Sequence, residues 1–358
     1  MAVSKRLSVA HVCLARGYRG WERQIELLIK ELSNLGVPQA LVCRDDCPLP
    51  FHLDEVKGLK IIRIRGFSDP RFAAHFRVGN NYTVVHAHDI QGLQWALVHY
   101  ILRGTRYIVT VRDEEFLVNT FMIKAAYKSA AIVVGVSREL TEILAQNLQR
   151  TVDTISDCSS RLQPNSKLVS NFKKSLSNRF VVCNVAPLIN RQKGQSVLID
   201  AAKILKTKLP ELLVVFVGAG DDIVLLRRHA KDMPNIKFIG FRRNYVDYIK
   251  VCDVFAYPAN IESSGSILLD VMEQGVPVIA SNVGGIPDLI QDGKNGFLIE
   301  AGDAESLADY ILTLKRDREL YYSFVEAGRN EAELHNSAAM AAQYYRSYFS
   351  IINNEIAS

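Results

Sequence analysis

Short apolar runs separated by helical patterns constrain this chain more than any other feature. Runs that read as buried strands occur at Leu7–Leu14, Ala40–Cys43, Lys60–Arg65, Tyr82–His86, Tyr107–Val111 and Ala131–Val136. The alternation restarts at Phe180–Ala186, Leu213–Val217, Ile236–Gly240 and Pro277–Ser281. Amphipathic helical patterns lie between several of them, including Ile25–Leu35 and Val197–Lys208. Strand–helix alternation of this kind predicts an α/β fold with doubly wound parallel sheets. At 358 residues the chain has room for two such domains, each with its own core.

From Asp157 to Asn178 the chain turns polar, and the composition shift places a linker at 171–178. The expected division is therefore 1–172, 173–335 and a terminal segment 336–358. That last segment holds a helix over Ala338–Ile352, whose Tyr344, Tyr345, Tyr348 and Phe349 form a stripe for core and interdomain packing.

A content of 48% hydrophobic and 23% charged residues excludes a disordered or membrane-spanning class. No apolar run approaches the roughly 20 residues that a membrane span requires. Lys5 and Arg6 ahead of Leu7–Ala15 mimic a signal peptide, but His11 interrupts the apolar part and a first strand accounts for it better. The six scattered cysteines lack zinc spacing and read as reduced core residues of a cytoplasmic protein. The net charge of +5 is uneven: residues 1–172 hold 22 Lys/Arg against 16 Asp/Glu. Such an excess suits an anionic partner, such as a phosphorylated glycan or a membrane surface, and simple solubility equally well.

The densest local signal is Glu262–Val278, E-S-S-G-S-I-L-L-D-V-M-E-Q-G-V-P-V. It follows the strand-like Val254–Tyr257, so Glu262 sits on the loop that leaves a strand. Ser263, Ser264, Gly265 and Ser266 suit the opening of a helix that runs to Gln274 and stops at Gly275. Ile267, Leu268, Val271 and Met272 form its buried face, and Ser266, Asp270 and Glu273 its polar one. A helix mouth beside carboxylates suits a phosphorylated sugar ligand.

Seven residues separate Glu262 from Asp270, and the segment resembles the E-x7-E signature of retaining GT-B glycosyltransferases of the large family 4. The resemblance continues in S-N-V-G-G-I-P-D-L-I-Q-D-G-K-N-G-F-L (Ser281–Leu298), in Val84-Val85-His86-Ala87-His88-Asp89 and in Gly218-Ala219-Gly220. It implies a GT-B fold, two Rossmann-like domains facing a cleft, with the C-terminal helix crossing back to the first. It also implies transfer of a sugar from a UDP- or GDP-linked donor to a glycan or lipid-linked acceptor, with retention of configuration and no further cofactor. Cell-envelope polysaccharide or lipopolysaccharide synthesis is the expected setting, on the inner face of the membrane. Nucleic acid is not an expected partner, and no D-x-D pattern points to a bound metal.

By the same resemblance Glu262 meets the donor sugar and Asp270 the ribose, while Lys193 neutralises the diphosphate. Gly218, Gly220, Phe241, Ser264, Gly265 and Ser266 line the donor, and Gly20 with Arg19 belongs to the donor loop. Trp21, His88 and Arg112 face the cleft or the acceptor. The chain departs from the pattern at Leu188, where the family has Arg, at Arg112, where it has His, and at Asp270. Arg191, two residues before Lys193, is the candidate second cation. His86 and His88 at i, i+2 invite a metal, but no third ligand of suitable spacing accompanies them, so they read as strand-end residues. Two other enzyme classes fit less well: a nucleotide-sugar epimerase of the same fold, against the E-x7-D pair, and an NAD-dependent oxidoreductase, which lacks its glycine fingerprint. An inactive sugar-nucleotide or glycan binding protein accommodates the three departures.

Overall fold

A computed structural model describes residues 6–18, 20–66, 69–113, 120–176 and 178–356. The chain forms two compact units: Met1–Cys158 together with Asn336–Ser358, and Ser159–His335. In unit 1, strands β1 (Val9–Cys13), β2 (Gln39–Arg44), β3 (Lys60–Ile64), β4 (Val84–Ala87), β5 (Tyr107–Val111), β6 (Ile132–Gly135) and β7 (Asp153–Thr154) lie in the order β3-β2-β1-β4-β5-β6-β7. Unit 2 places β8 (Phe180–Val185), β9 (Leu212–Val217), β10 (Ile236–Gly240), β11 (Val254–Tyr257), β12 (Val278–Ser281) and β13 (Phe297–Ile299) in the order β10-β9-β8-β11-β12-β13. Every pairing between these strands is parallel. The order reverses once in each sheet, where β1 meets β4 and β8 meets β11. This is the doubly wound α/β architecture that the alternation predicted.

The apolar runs lack a polar alternation because both faces of each sheet are covered. Successive residues of β8 go to different cores: Val182 joins Val214, Ala256 and Ile279 on one side, while Val181 and Cys183 join Val215, Phe255 and Ala280 on the other. Unit 1 repeats the device, with Ala10, Val12, Val85 and Val109 in one layer and Val9, Val84, Ile108 and Val134 in the opposite one. All six cysteines are buried and none forms a disulfide. No helix among the described residues is long and apolar enough to cross a membrane.

The terminal helix, Ser337–Ile356, completes unit 1 as expected. It packs on helix Gly20–Asn34 and buries Met340, Tyr344, Tyr348, Ile351 and Ile352 against β1, β4 and β5. The stripe is split, however: Tyr344 and Tyr348 are buried, Phe349 is exposed.

Two expectations need correction. The helix expected from Ile25 already begins at Gly20; Glu22 in its first turn favours that start. The 171–178 linker is largely helix Ser166–Ser175, capped by Asn165, which accepts from the amides of Lys167 and Leu168 at 3.1 and 3.2 Å. Its polar composition reflects a solvated helix, and the compact units divide earlier, between Cys158 and Ser159.

Because the helix Ser337–Ile356 supplies one wall of the unit 1 core, Ile351→Ala should destabilise the protein by about 2–5 kcal/mol. Urea unfolding measures this; a change below about 0.5 kcal/mol would mean that the helix is a surface appendage.

Candidate functional site

The carboxyl ends of β8 and β11 lie side by side where the sheet of unit 2 reverses, the position at which open α/β sheets bind ligands. The loop after β8 ends in a one-turn helix, Asn190–Lys193, and the loop after β11 carries Glu262. Lys193 Nζ donates to Glu262 Oε2 at 2.9 Å and to the carbonyl of Ile261 at 3.4 Å. The Tyr257 hydroxyl donates to the same Oε2 at 2.6 Å, and the amides of Ser263 and Ser264 reach Oε1 at 3.1 and 3.3 Å. The side chains of Lys193 and Glu262 are 15% and 13% exposed, so the pair is held close to the surface but mostly out of water.

Burial pushes the Glu262 carboxyl up, but the Lys193 charge and the hydrogen bonds from Tyr257 and Lys193 outweigh it and hold it below the usual carboxylate range. Burial, then the adjacent carboxylate, pushes Tyr257 well above the ordinary phenol value. At neutral pH Glu262 is therefore a carboxylate and Tyr257 a neutral phenol.

Main-chain contacts fix this geometry. Gly194 follows Lys193 with φ +58°, and a Cβ there would stand 1.8 Å from the carbonyl oxygen of Pro258. Gly284 has φ +59°, and its Cβ would stand 1.4 Å from the carbonyl oxygen of Glu262. Only glycine permits either approach. The amides of Asn260 and Ile261 both donate to Gln192 O, at 2.8 and 3.0 Å, so the two loops are joined backbone to backbone.

The remaining donor-site candidates of unit 2 fall around this pair unevenly. The helix begins at Ile267, later than expected, with Ser266 as a cap that makes no side-chain bond and Gly265 at φ +67° before it. The amides of Ser263 and Ser264 therefore serve Glu262 instead of opening the helix. Asp270 is buried, not on a polar face: its oxygens accept from Ser160 N at 2.6 Å and from the Tyr245 hydroxyl at 2.5 Å. Burial raises its carboxyl to about 6. Gly218 and Gly220 pass close to the carbonyls of Ala186 and Leu188, so the chain itself demands their small size. Leu188 is fully buried in the core and presents nothing to a ligand. Arg191 is exposed, and so is Phe241.

His88, Arg112 and Trp21 belong to unit 1. Arg19 lies outside the described residues. Gly20 is exposed with open space around it, and Trp21 packs partly against the core. Arg112 is buried and paired with Asp157, Nε to Oδ1 at 3.2 Å, while its Nη1 has no partner among the described residues. The expectation that no third ligand accompanies His86 and His88 is corrected, because β1 lies next to β4 and brings in His11. One ring nitrogen from each lies within 4.8 Å of the others.

Hydrogen bonds already occupy most of these nitrogens. The amide of Gln39 donates to the carbonyl of Ile29 at 3.0 Å, which turns its Oε1 toward His11 Nε2, also at 3.0 Å. His11 therefore carries its proton on Nε2, and its Nδ1 accepts from His88 Nε2 at 3.0 Å. By this relay His88 Nδ1 is a bare acceptor, buried and without a partner among the described residues. His86 is held by Tyr348 at 2.7 Å and Thr110 at 2.8 Å. Burial lowers all three: His11 to about 4, and His86 and His88 well below their ordinary value, helped by the neighbouring histidines and Arg112. Gln39 and Tyr257 carry no local motif, and sequence spacing does not single them out, while Tyr344 and Tyr348 show in the sequence only as packing residues.

With this geometry in view, the chain can be set beside known proteins. Residues 169–331 match the model of the glycosyl transferases group 1. That segment is nearly the whole of unit 2. The N-acetyl-alpha-D-glucosaminyl L-malate synthase of Bacillus anthracis is 30% identical over 168 residues, 46% of this chain and 44% of that protein. The capsular polysaccharide biosynthesis glycosyltransferase CapM of Staphylococcus aureus is 27% identical over 65% of each chain. The chain thus spans less than two thirds of the length of these relatives. In fold, the chain is similar to Anabaena HepE, solved in complex with UDP, with a TM-score of 0.83, 17% identity and coverage of 96% of this chain and 100% of that one.

Two measurements check the local chemistry. Lys193→Met should cost on the order of 2 kcal/mol at neutral pH, because it removes the counter-charge from a carboxylate that burial penalises. In the wild type the folded pKa of Glu262 lies below the unfolded one, so its contribution is complete above about pH 4.3 and is lost as pH falls through the depressed value. In the variant burial dominates, the folded pKa lies above the unfolded one, and acid favours folding. The gap between the two proteins should therefore shrink on acidification; a gap independent of pH in urea unfolding would disprove the assignment. Separately, nitrogen NMR of histidine-labelled protein should show His88 neutral, protonated on Nε2 and bare on Nδ1, through the pH range around 6.5 in which free histidine titrates. Gln39→Leu should mix the tautomers; a single unchanged pattern in that variant would refute the relay.

Proposed function

We propose that this protein transfers a sugar from a UDP- or GDP-linked donor to a glycan or lipid-linked acceptor, with retention of configuration, in cell-envelope polysaccharide or lipopolysaccharide synthesis. The observation that carries this reading is the Lys193–Glu262 pair at the reversal point of unit 2, within the segment that matches the glycosyl transferase model. The Anabaena neighbour that binds UDP, and a relative named for capsular polysaccharide biosynthesis, support it.

In this reading Glu262, ionised and aimed by four hydrogen-bonding groups, orients the donor sugar. Lys193 has three ammonium donors, of which Glu262 and Ile261 take two, and the third meets a phosphate oxygen. Arg191, exposed on the same short helix, supplies the second cation in place of the buried Leu188. Asp270 has oxygen lone pairs beyond those used by Tyr245 and Ser160 and accepts from a ribose hydroxyl. A donor phosphate oxygen helps to deprotonate the acceptor hydroxyl, and the protein positions the two substrates and stabilises the departing diphosphate charge. No protein nucleophile is used.

Thermal unfolding with UDP, GDP or NAD tests the reading. A nucleoside diphosphate at a hundred times its Kd should stabilise the protein by about 2.7 kcal/mol. Stabilisation by NAD with none by either diphosphate would overturn the proposal. Glu262→Gln should lower turnover at saturating donor by about a hundredfold or more, as for a lost contact to developing charge. Arg191→Ala should act similarly; a loss under about threefold, roughly 0.7 kcal/mol, leaves Arg191 outside the mechanism.

A further inference from the structure

Unit 1 carries an exposed face, apolar and cationic at once, that none of the site residues uses. The turn Pro70–Phe72 and the short helix His75–Val78 run along helix Ile90–Arg103. Buried contacts pin them there: Trp95 Nε1 donates to Ala73 O at 2.7 Å, and the His75 ring stacks on Trp95 with centroids 4.4 Å apart. Pinning Ala73 and His75 inward turns Phe72 and Phe76 outward, where they are 61% and 83% exposed. The end of helix Ile90–Arg103 exposes Ile101 and Leu102, at 71% and 54%. Arg103 joins the two parts, with its guanidinium 4.6 Å from the Phe76 ring centroid, and Arg71 lies 5.8 Å from that of Phe72.

The charge around these side chains is mostly positive. Between Pro70 and Arg106 the sequence holds Arg71, Arg77, Arg103 and Arg106 against a single carboxylate, Asp89. Asp89 is buried and spends its oxygens on the amides of Leu14 and Gly92. Just before this stretch Asp69 binds Arg71, Nε to Oδ1 at 2.9 Å. Large apolar side chains interleaved with guanidinium groups match the two zones of a lipid interface. The apolar groups enter the boundary between acyl chains and headgroups, and the cations meet the phosphates.

We propose that this face docks on a bilayer containing anionic phospholipid, with Phe72, Phe76, Ile101 and Leu102 entering the interface and Arg71 and Arg103 on the phosphates. The inference goes beyond the transfer reading and rests on none of the residues assigned to it.

Sedimentation of the full chain with vesicles tests it. The protein should pellet at low salt with vesicles of phosphatidylcholine plus phosphatidylglycerol, and much less with phosphatidylcholine alone. Phe76→Ser combined with Ile101→Ser should weaken partitioning by about tenfold or more, since two large apolar groups leave the interface. Arg71→Gln and Arg103→Gln should each weaken it roughly fivefold, and added salt should erase that difference. Unchanged melting temperatures would show that the variants fold, and a retained UDP shift would show that unit 2 is intact, so failure here and failure of the transfer reading give separate results. Absence of binding at low salt, or equal binding by the variants, would overturn the proposal. So would self-association that Phe76→Ser with Ile101→Ser removes in a protein that vesicles do not sediment, because the face would then be a contact between copies of the chain.

Discussion

Both sheets are wholly parallel, and a parallel sheet can exist only if each strand is followed by a crossover that covers one of its faces. Much of the rest follows from that requirement. Adjacent residues such as Val181 and Val182 must both be apolar, since each meets a different layer of helices. All strands of a sheet run the same way, so the loops leaving their carboxyl ends gather on one edge. At the point where the winding reverses, two of those loops depart to opposite sides and leave the strand ends open between them. The Lys193–Glu262 pair occupies that position in unit 2, and His88 follows β4 at the equivalent position in unit 1.

The two units handle buried polarity differently. Unit 2 keeps a carboxylate ionised by surrounding it with an ammonium, a phenol and two backbone amides, which together offset its desolvation. Such an arrangement tolerates little slack, because a partner displaced by an ångström would leave the charge uncompensated. Fixing the loops through main-chain contacts at Gly194 and Gly284, rather than through flexible side chains, removes that slack. Unit 1 instead keeps its histidines neutral, and a chain of hydrogen bonds from Ile29 through Gln39 and His11 decides which nitrogen of His88 holds the proton.

The doubly wound fold was legible in the sequence because its signal is a period, and periods survive errors at single residues. Glu262 and Lys193 could each be named from the sequence, but their approach to within 2.9 Å of one another could not. The start of the helix after Glu262 was not, since Gly265 takes a left-handed backbone that delays it and lets Glu262 capture the Ser263 and Ser264 amides. The histidine cluster was only half visible. His86 and His88 announce themselves by spacing, but His11 joins them through strand register, 75 residues from His86 in sequence. Tyr257 was read as part of a strand and nothing more, because only the direction of its hydroxyl reveals its bond to Glu262. The polar stretch before Asn178 misled in the opposite sense, for a solvated helix and a linker share a composition.

The terminal helix has a further consequence, for the order in which the chain can be built. Residues 336–358 belong to the same compact unit as the first 158, so unit 2 interrupts unit 1. As the polypeptide leaves the ribosome, the whole of unit 2 is available before the wall formed by Tyr344, Tyr348, Ile351 and Ile352 exists. The usual order, amino-terminal domain first, is thereby inverted. The later unit can therefore mature first, and until the terminal helix emerges the earlier one lacks the wall that covers β1, β4 and β5 on one side.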